Sequence, residues 1–195
     1  MDTVDADILS RHAVPRRRLT VAEYHRLAEV GILGEDDRVE LLDGQLVAMS
    51  PIGPRHALAV DALMELLMAA VAGRAAVRVQ NPITLDGGSE PNPDLAVVRR
   101  PWAGYPGAHP GPGDVYLLVE VADTSLETDR GAKAAVYAKS RIPEFWIVDL
   151  TTDVVHVHRT PKGRGYELVT VVKRAGMLDV EGLPGVSVAA SVMFA

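Results

Sequence analysis

The chain of 195 residues is 48% hydrophobic and 24% charged, has no cysteine and carries a formal net charge of -6. That length suits one domain with a substantial core, and the composition excludes a disordered chain, a collagen-like repeat and a disulfide scaffold. Without cysteine there is no thiolate zinc site and no thiol nucleophile, the cytosol is the default compartment, and the acidic balance argues against whole-surface attraction to nucleic acid or an anionic membrane, although a local basic groove stays open.

Residues Met1 to Arg18 read as a flexible leader that ends in the solvated basic run Arg16-Arg17-Arg18 and lacks the apolar core of a signal peptide. Residues 19–195 read as a single domain without internal repeats. Thr20 and Glu23 form a capping box, and Gly31 and Gly34 end the helix it starts. Arg38 to Met49 is a hairpin around the Asp43-Gly44 turn, with Glu40 on its first strand. Pro54 opens a helix that runs to Val71 and closes at Gly73; its apolar stretch from Ala57 is broken by Asp61 and Glu65 and is too short to span a bilayer, which needs about 20 residues.

Strands follow at Val77 to Gln80 and Asp94 to Val98, separated by turn sequence, then a Pro/Gly-rich loop from Arg99 to Gly113. Val115 to Val121 is almost continuously apolar and reads as a central strand buried on both faces, with Glu120 near its end. Leu126 to Ser140 has helical spacing and is stopped by Arg141-Ile142-Pro143. Glu144 to Leu150 is a further strand, and Val154 to Arg159 with Tyr166 to Val172 is a final hairpin. Trp146 and Phe145 are assigned to the core, His156 and His158 to exposed hairpin positions, and Gly163-Arg164-Gly165 to a turn.

This order predicts a mixed α/β layer arrangement. Pro93 cannot donate a ladder hydrogen bond, so it marks the start of the strand carrying Asp94, whereas Glu120 ends its own strand. If the two strands are antiparallel neighbours, both carboxylates stand on one rim of the sheet. The helix after Glu120 begins near that rim, and Lys133, about two turns along it, can reach back toward the acids. Two carboxylates and an ammonium suit Mg²⁺ or Mn²⁺ and the charge of a phosphoryl group, which points to metal-assisted phosphodiester hydrolysis.

Pro93-Asp94 followed by Glu120-Val121-Ala122 resembles the PD-(D/E)XK nuclease signature. More narrowly, Val39-Glu40-Leu41-Leu42-Asp43-Gly44, Met49-Ser50-Pro51, His56, Pro93-Asp94, Glu120-Val121, Lys133, Tyr137 and Pro143 to Asp149 resemble the Uma-two family of restriction-endonuclease-like proteins, over about Leu19 to Val172. The resemblance implies a restriction-endonuclease-like mixed sheet flanked by helices, with an N-terminal helix and hairpin and a C-terminal β-hairpin. It also implies a divalent metal, Mg²⁺ or Mn²⁺, at Asp94, Glu120 and Val121, catalytic roles for Asp94, Glu120, Lys133 and Glu40, and DNA as the substrate. The general signature has lysine two positions after the glutamate, where this chain has Ala122; the narrower family's lysine lies on the following helix and matches Lys133. The alternative reading is a nuclease-fold module that hydrolyses nothing and binds nucleic acid or a protein partner. A homodimer would supply two sites for the two strands of a duplex.

Overall fold

The computed structural model describes residues 16–34, 36–100 and 105–194. Helix α1 (Val21–Glu29) begins with the expected reciprocal cap: Glu23 N–H donates to the Thr20 hydroxyl, and Thr20 N–H donates to the Glu23 carboxylate. Strands β1 (Val39–Leu42) and β2 (Gln45–Ala48) pair antiparallel around Asp43-Gly44, both at positive φ. Leu19 N–H donates to the Gly44 carbonyl, and a Cβ built on Gly44 would stand 2.4 Å from that of Arg18, so the turn needs glycine on both counts. Most of the expected leader, residues 1–15, lies outside the described residues. Arg17 and Arg18 are not a free basic run, because they pair with Glu23 and Asp43.

Six strands form one sheet in the order β3 (Ala76–Val79), β4 (Leu95–Val98), β5 (Val115–Ala122), β6 (Glu144–Asp149), β7 (Val154–Lys162) and β8 (Gly165–Lys173). Only β5 and β6 run parallel; every other neighbouring pair is antiparallel. The long connection needed by that parallel pair carries α3 (Leu126–Thr128), a π-helical turn (Asp129–Lys133) and α4 (Ala134–Lys139). The uninterrupted α-helix expected over Leu126 to Ser140 is therefore broken by one π turn. Beyond β8, β9 (Met177–Asp179) and β10 (Ser187–Ala189) form a small separate pair, which the sequence reading passed over.

Period-two alternation sends the side chains of β5 to two cores. Leu117, Val119 and Val121 pack with α2 (Pro54–Val71), whose Ala59, Val60, Leu63, Leu67 and Val71 form one buried face, and with the chain's C-terminal segment. Leu118 and Ala122 face the other way, toward Ala134, Val136 and Tyr137 of α4. Glu120 belongs to this second set by alternation, so a carboxylate occupies an apolar position beneath α4. Trp146 and Phe145 are fully buried, as expected. His156 and His158 are not exposed, because β7 is flanked by β6 and β8 and faces α4. His158 lies between the Phe145 and Tyr166 rings, with centroids at 5.4 and 5.5 Å. Among the described residues no helix is long and apolar enough to cross a membrane.

Candidate active site

Strands β4 and β5 pair Leu95 with Val119 and Ala96 with Leu118. One step further along the same register sets Asp94 level with Glu120, the juxtaposition inferred from a strand start beside a strand end. The Asp94 carboxylate is held from three sides. Its Oδ2 accepts from Val121 N–H at 2.8 Å and lies 3.0 Å from His56 Nε2, while Gln80 Nε2 donates to Oδ1 at 3.4 Å. His56 sits in the first turn of α2, and Gln80 follows β3 at positive φ with its N–H on the Asp94 carbonyl. The Asp94 hydrogen bond raises the pKa of His56 against the opposing effect of burial, so the imidazole favours its protonated, donating form.

Glu120 is 3% exposed and both of its oxygens are engaged: the Tyr137 hydroxyl donates to Oε1 at 2.6 Å, and Lys133 Nζ stands 2.9 Å from Oε2. Lys133 also reaches Glu40 Oε1 at 3.4 Å, and Glu40 Oε2 accepts from Asn92 N–H. Glu40 thus comes from the β1–β2 hairpin to the same point as Glu120 from the sheet and Lys133 from the helical connection. Burial pushes the Glu120 carboxyl well above its ordinary range; Lys133 opposes this, while Asp129, Asp94 and Glu40 reinforce it. Burial works against the Lys133 ammonium as well, but Glu120, Glu40 and Asp129 outweigh it and hold the lysine charged, with a raised pKa. One ammonium therefore serves more negative charge than it can balance.

Asp129, which the sequence reading did not single out, is the fourth carboxylate of the cluster. It is 2% exposed, accepts from the Ser125 hydroxyl at 2.6 Å, and has a pKa raised mainly by burial. It stands four residues before Lys133, a spacing that could have marked it. The contact of His56 with Asp94 gives this histidine a place in the site. A cleft of about 200 Å³ opens onto Glu40, His56, Asp94, Glu120, Asp129 and Lys133.

Among the described residues no group of three or more His, Asp or Glu side chains is arranged to hold a metal ion by itself. The donor chemistry nevertheless fits a hard cation: carboxylate oxygens in excess over ammonium, beside a main-chain carbonyl at a strand end. Mg²⁺ in particular keeps several waters and needs only one or two carboxylates.

The model of the Uma2 family, described as "putative restriction endonuclease", matches residues 21–191. The chain belongs to the Uma2 family. In three dimensions this Uma2 protein is similar to the crystal structure of a "putative nuclease belonging to DUF820" from Anabaena variabilis, with a TM-score of 0.67 and 14% identity over 90% of this chain and 97% of that one. At that identity the likeness speaks for the shared mixed α/β fold. No curated protein matches this Uma2 chain in sequence.

Proposed function

We propose that this Uma2 protein is a Mg²⁺- or Mn²⁺-dependent nuclease that hydrolyses DNA phosphodiester bonds. The observation that carries the reading is the convergence of Lys133 on Glu120 and Glu40 beside Asp94, which supplies from the helical connection the cation missing at Ala122. Asp94, Glu120 and the main-chain carbonyl of Val121 would hold the metal. When bound, the metal supplies Lewis-acid stabilisation of phosphoryl charge and a more acidic water.

The protein's own residues do the rest. Hydrolysis adds a water oxygen to phosphorus and expels an ester oxygen, and the Lys133 ammonium, with two of its three donors directed to Glu120 and Glu40, keeps one with which to orient that water or meet a phosphoryl oxygen. Glu40 and Glu120 hold the ammonium in place. Tyr137 fixes the rotamer of Glu120, while His56 and Val121 N–H occupy Asp94 Oδ2 and leave Oδ1 with only the long contact from Gln80. The cluster's excess negative charge gives a reason for dependence on a cation and for weak intrinsic affinity for DNA without one.

The test is nicking of supercoiled plasmid with Mg²⁺ or Mn²⁺ by the wild type and by Asp94→Ala and Glu120→Ala. Metal-dependent nicking lost in both variants is the expected result, and activity unchanged in both would overturn the assignment. Salt-dependent DNA binding without turnover across several metals and substrates would favour the non-hydrolysing module instead.

A further inference from the structure

Basic residues far apart in sequence meet beside the turn of the first hairpin. Lys139 Nζ stands 2.8 Å from Asp43 Oδ1, while Arg164 Nη2 and Arg18 Nη1 stand 2.8 and 2.5 Å from Asp43 Oδ2. Arg18 precedes α1, Lys139 ends α4 and Arg164 lies in the turn between β7 and β8. Three cations thus share one carboxylate, and none of them has a second acid among the described residues. The group keeps two positive charges in excess, in a chain of net charge -6. The acid is inside and the cations outside: the side chains of Arg18, Lys139 and Arg164 are 52%, 44% and 66% exposed, against 19% for Asp43. Arg141, exposed two residues beyond Lys139, adds a further cation. Gly87 has a positive φ, and a Cβ built there would stand 3.2 Å from Lys139 Nζ, so this turn approaches the ammonium without a side chain to cover it.

Pinning the hairpin to α4 takes one cation. Each further one adds like-charge repulsion that a second anion would relieve, and the guanidinium forks and the ammonium retain N–H donors beyond those directed at Asp43. Such a donor set suits a phosphate. Its place relative to the cleft is fixed by two elements that run side by side. Lys133 on Glu40 ties β1 to the helical connection at the cleft, and Lys139 on Asp43 ties them again at the turn. Three residues of strand cover about 10 Å and six of helix about 9 Å, so the two ties are matched and the basic cluster lies about 10 Å from the Lys133 end of the cleft.

We infer that Arg18, Lys139 and Arg164 form a docking site for a backbone phosphate of a DNA strand. Each strand of a duplex advances about 3.4 Å per phosphate, so the docked phosphate is about three nucleotides from the one that enters the cleft. This register rests on the nuclease reading, whereas the docking site itself requires a nucleic-acid strand and no hydrolysis. A small free anion offers the same phosphate oxygens, but it gains nothing from the match in spacing to the cleft.

Fluorescence anisotropy of a short labelled DNA duplex in EDTA tests the site without turnover. With a slope of about −0.9 in log K against log salt, one phosphate contact is worth about 15-fold at 50 mM salt and about 4-fold at 200 mM, relative to 1 M. The double variant Lys139→Gln/Arg164→Gln is expected to lose about these factors, with a slope flatter by about 1. Asp43→Asn tolerates the positive φ and releases the cations, so it is expected to bind at least about 3-fold more tightly at the lower salt. Arg74→Gln/Arg100→Gln makes the same change of charge at exposed positions near the C-terminal end of α2 and is expected to shift Kd by less than about 3-fold. No binding by the wild type at the lower salt overturns the inference, as does an unmoved Kd and slope in the Lys139/Arg164 variant, an equal loss in the Arg74/Arg100 variant, or a folded Asp43→Asn that binds no more tightly. Millimolar inorganic phosphate at constant ionic strength is expected to leave the duplex bound; full displacement would make this a site for a small anion and overturn its assignment to a strand. Binding that depends on Lys139 and Arg164 in a protein that cuts nothing with any metal keeps the docking site and removes the nuclease. Metal-dependent nicking with Kd unmoved in the Lys139/Arg164 variant removes the docking site and keeps the nuclease.

Discussion

Replacing Lys133 with methionine removes the only ammonium of the buried cluster while keeping most of its volume. Its nitrogen lies 2.9 Å from Glu120 and 3.4 Å from Glu40. At an effective dielectric of about 20 those distances correspond to about 6 and 5 kcal/mol of gross attraction, most of it offset by the desolvation of all three groups. Breaking such a pair from one side leaves buried charge unpaired and costs about 3–5 kcal/mol, which for a chain of this size lowers Tm by on the order of 10 °C. The penalty depends on pH in a definite direction. Without Lys133, which opposes the raised pKa of Glu120 and of Asp129, those two carboxyls rise further above their unfolded values, so the folded form binds more protons. The variant then loses stability as pH rises from about 4.5 through the raised folded pKa. Thermal melts followed by circular dichroism in EDTA at pH 5 and pH 8 are expected to show a larger gap from the wild type at pH 8, and Glu40→Gln added to the variant should recover at least ~1 kcal/mol by removing one stranded charge. A gap below about 2 °C, or an equal gap at both pH values, would refute the charge accounting.

Two further predictions concern the histidines. His56→Ala removes a donor from Asp94 Oδ2, so the carboxylate is less firmly oriented. The Mn²⁺ concentration for half-maximal nicking should rise 10- to 100-fold, as is usual when the partner of a ligand is lost, with most of the rate recovered at saturating metal; an unmoved midpoint contradicts the positioning role. Burial first, then His156 and Arg130, lower the pKa of His158 to about 4. The unfolded chain therefore takes up that proton before the folded one, and stability falls as pH drops from about 6.5 toward 4. His158→Phe keeps a ring between Phe145 and Tyr166 and removes the titration. From pH 7 to 4.5 the wild type should lose about 1 kcal/mol more than the variant by urea denaturation, a figure discounted for partial exposure, and parallel pH profiles would contradict it.

The first hairpin, the six strands of the main sheet and the first two helices were legible through local signals such as a capping box at Thr20, a turn at Asp43-Gly44, a proline at the N-terminus of α2 and a continuous apolar run in β5, whereas β9 and β10 were not. Even the meeting of Asp94 with Glu120 followed from a strand start beside a strand end, once the two strands were taken as antiparallel. The exposure of His156 and His158 was misjudged for a related reason. Alternation assigns a residue to a face of a strand, but whether that face is covered depends on α4, which packs across β7 and β8 through contacts with no local signature.

The π turn was the element least open to sequence reading, and it bears most directly on the site. An α-helix from Leu126 to Ser140 satisfies the same apolar spacing, and nothing in Asp129-Arg130-Gly131-Ala132-Lys133 announces five residues wound more widely. Beyond the turn every side chain is rotated relative to an uninterrupted helix. Behind it lies Leu126; ahead of it lie Ala134 and Tyr137, packed over β5. Asp129 and Lys133 both line the cleft, and Tyr137, four residues on, reaches Glu120. Single-turn π insertions commonly accompany functional sites. Here the reason is geometric: β5 offers one polar position on its α4 face, Glu120, and the helical connection must bring an ammonium and a hydroxyl to it while keeping its apolar residues on the core.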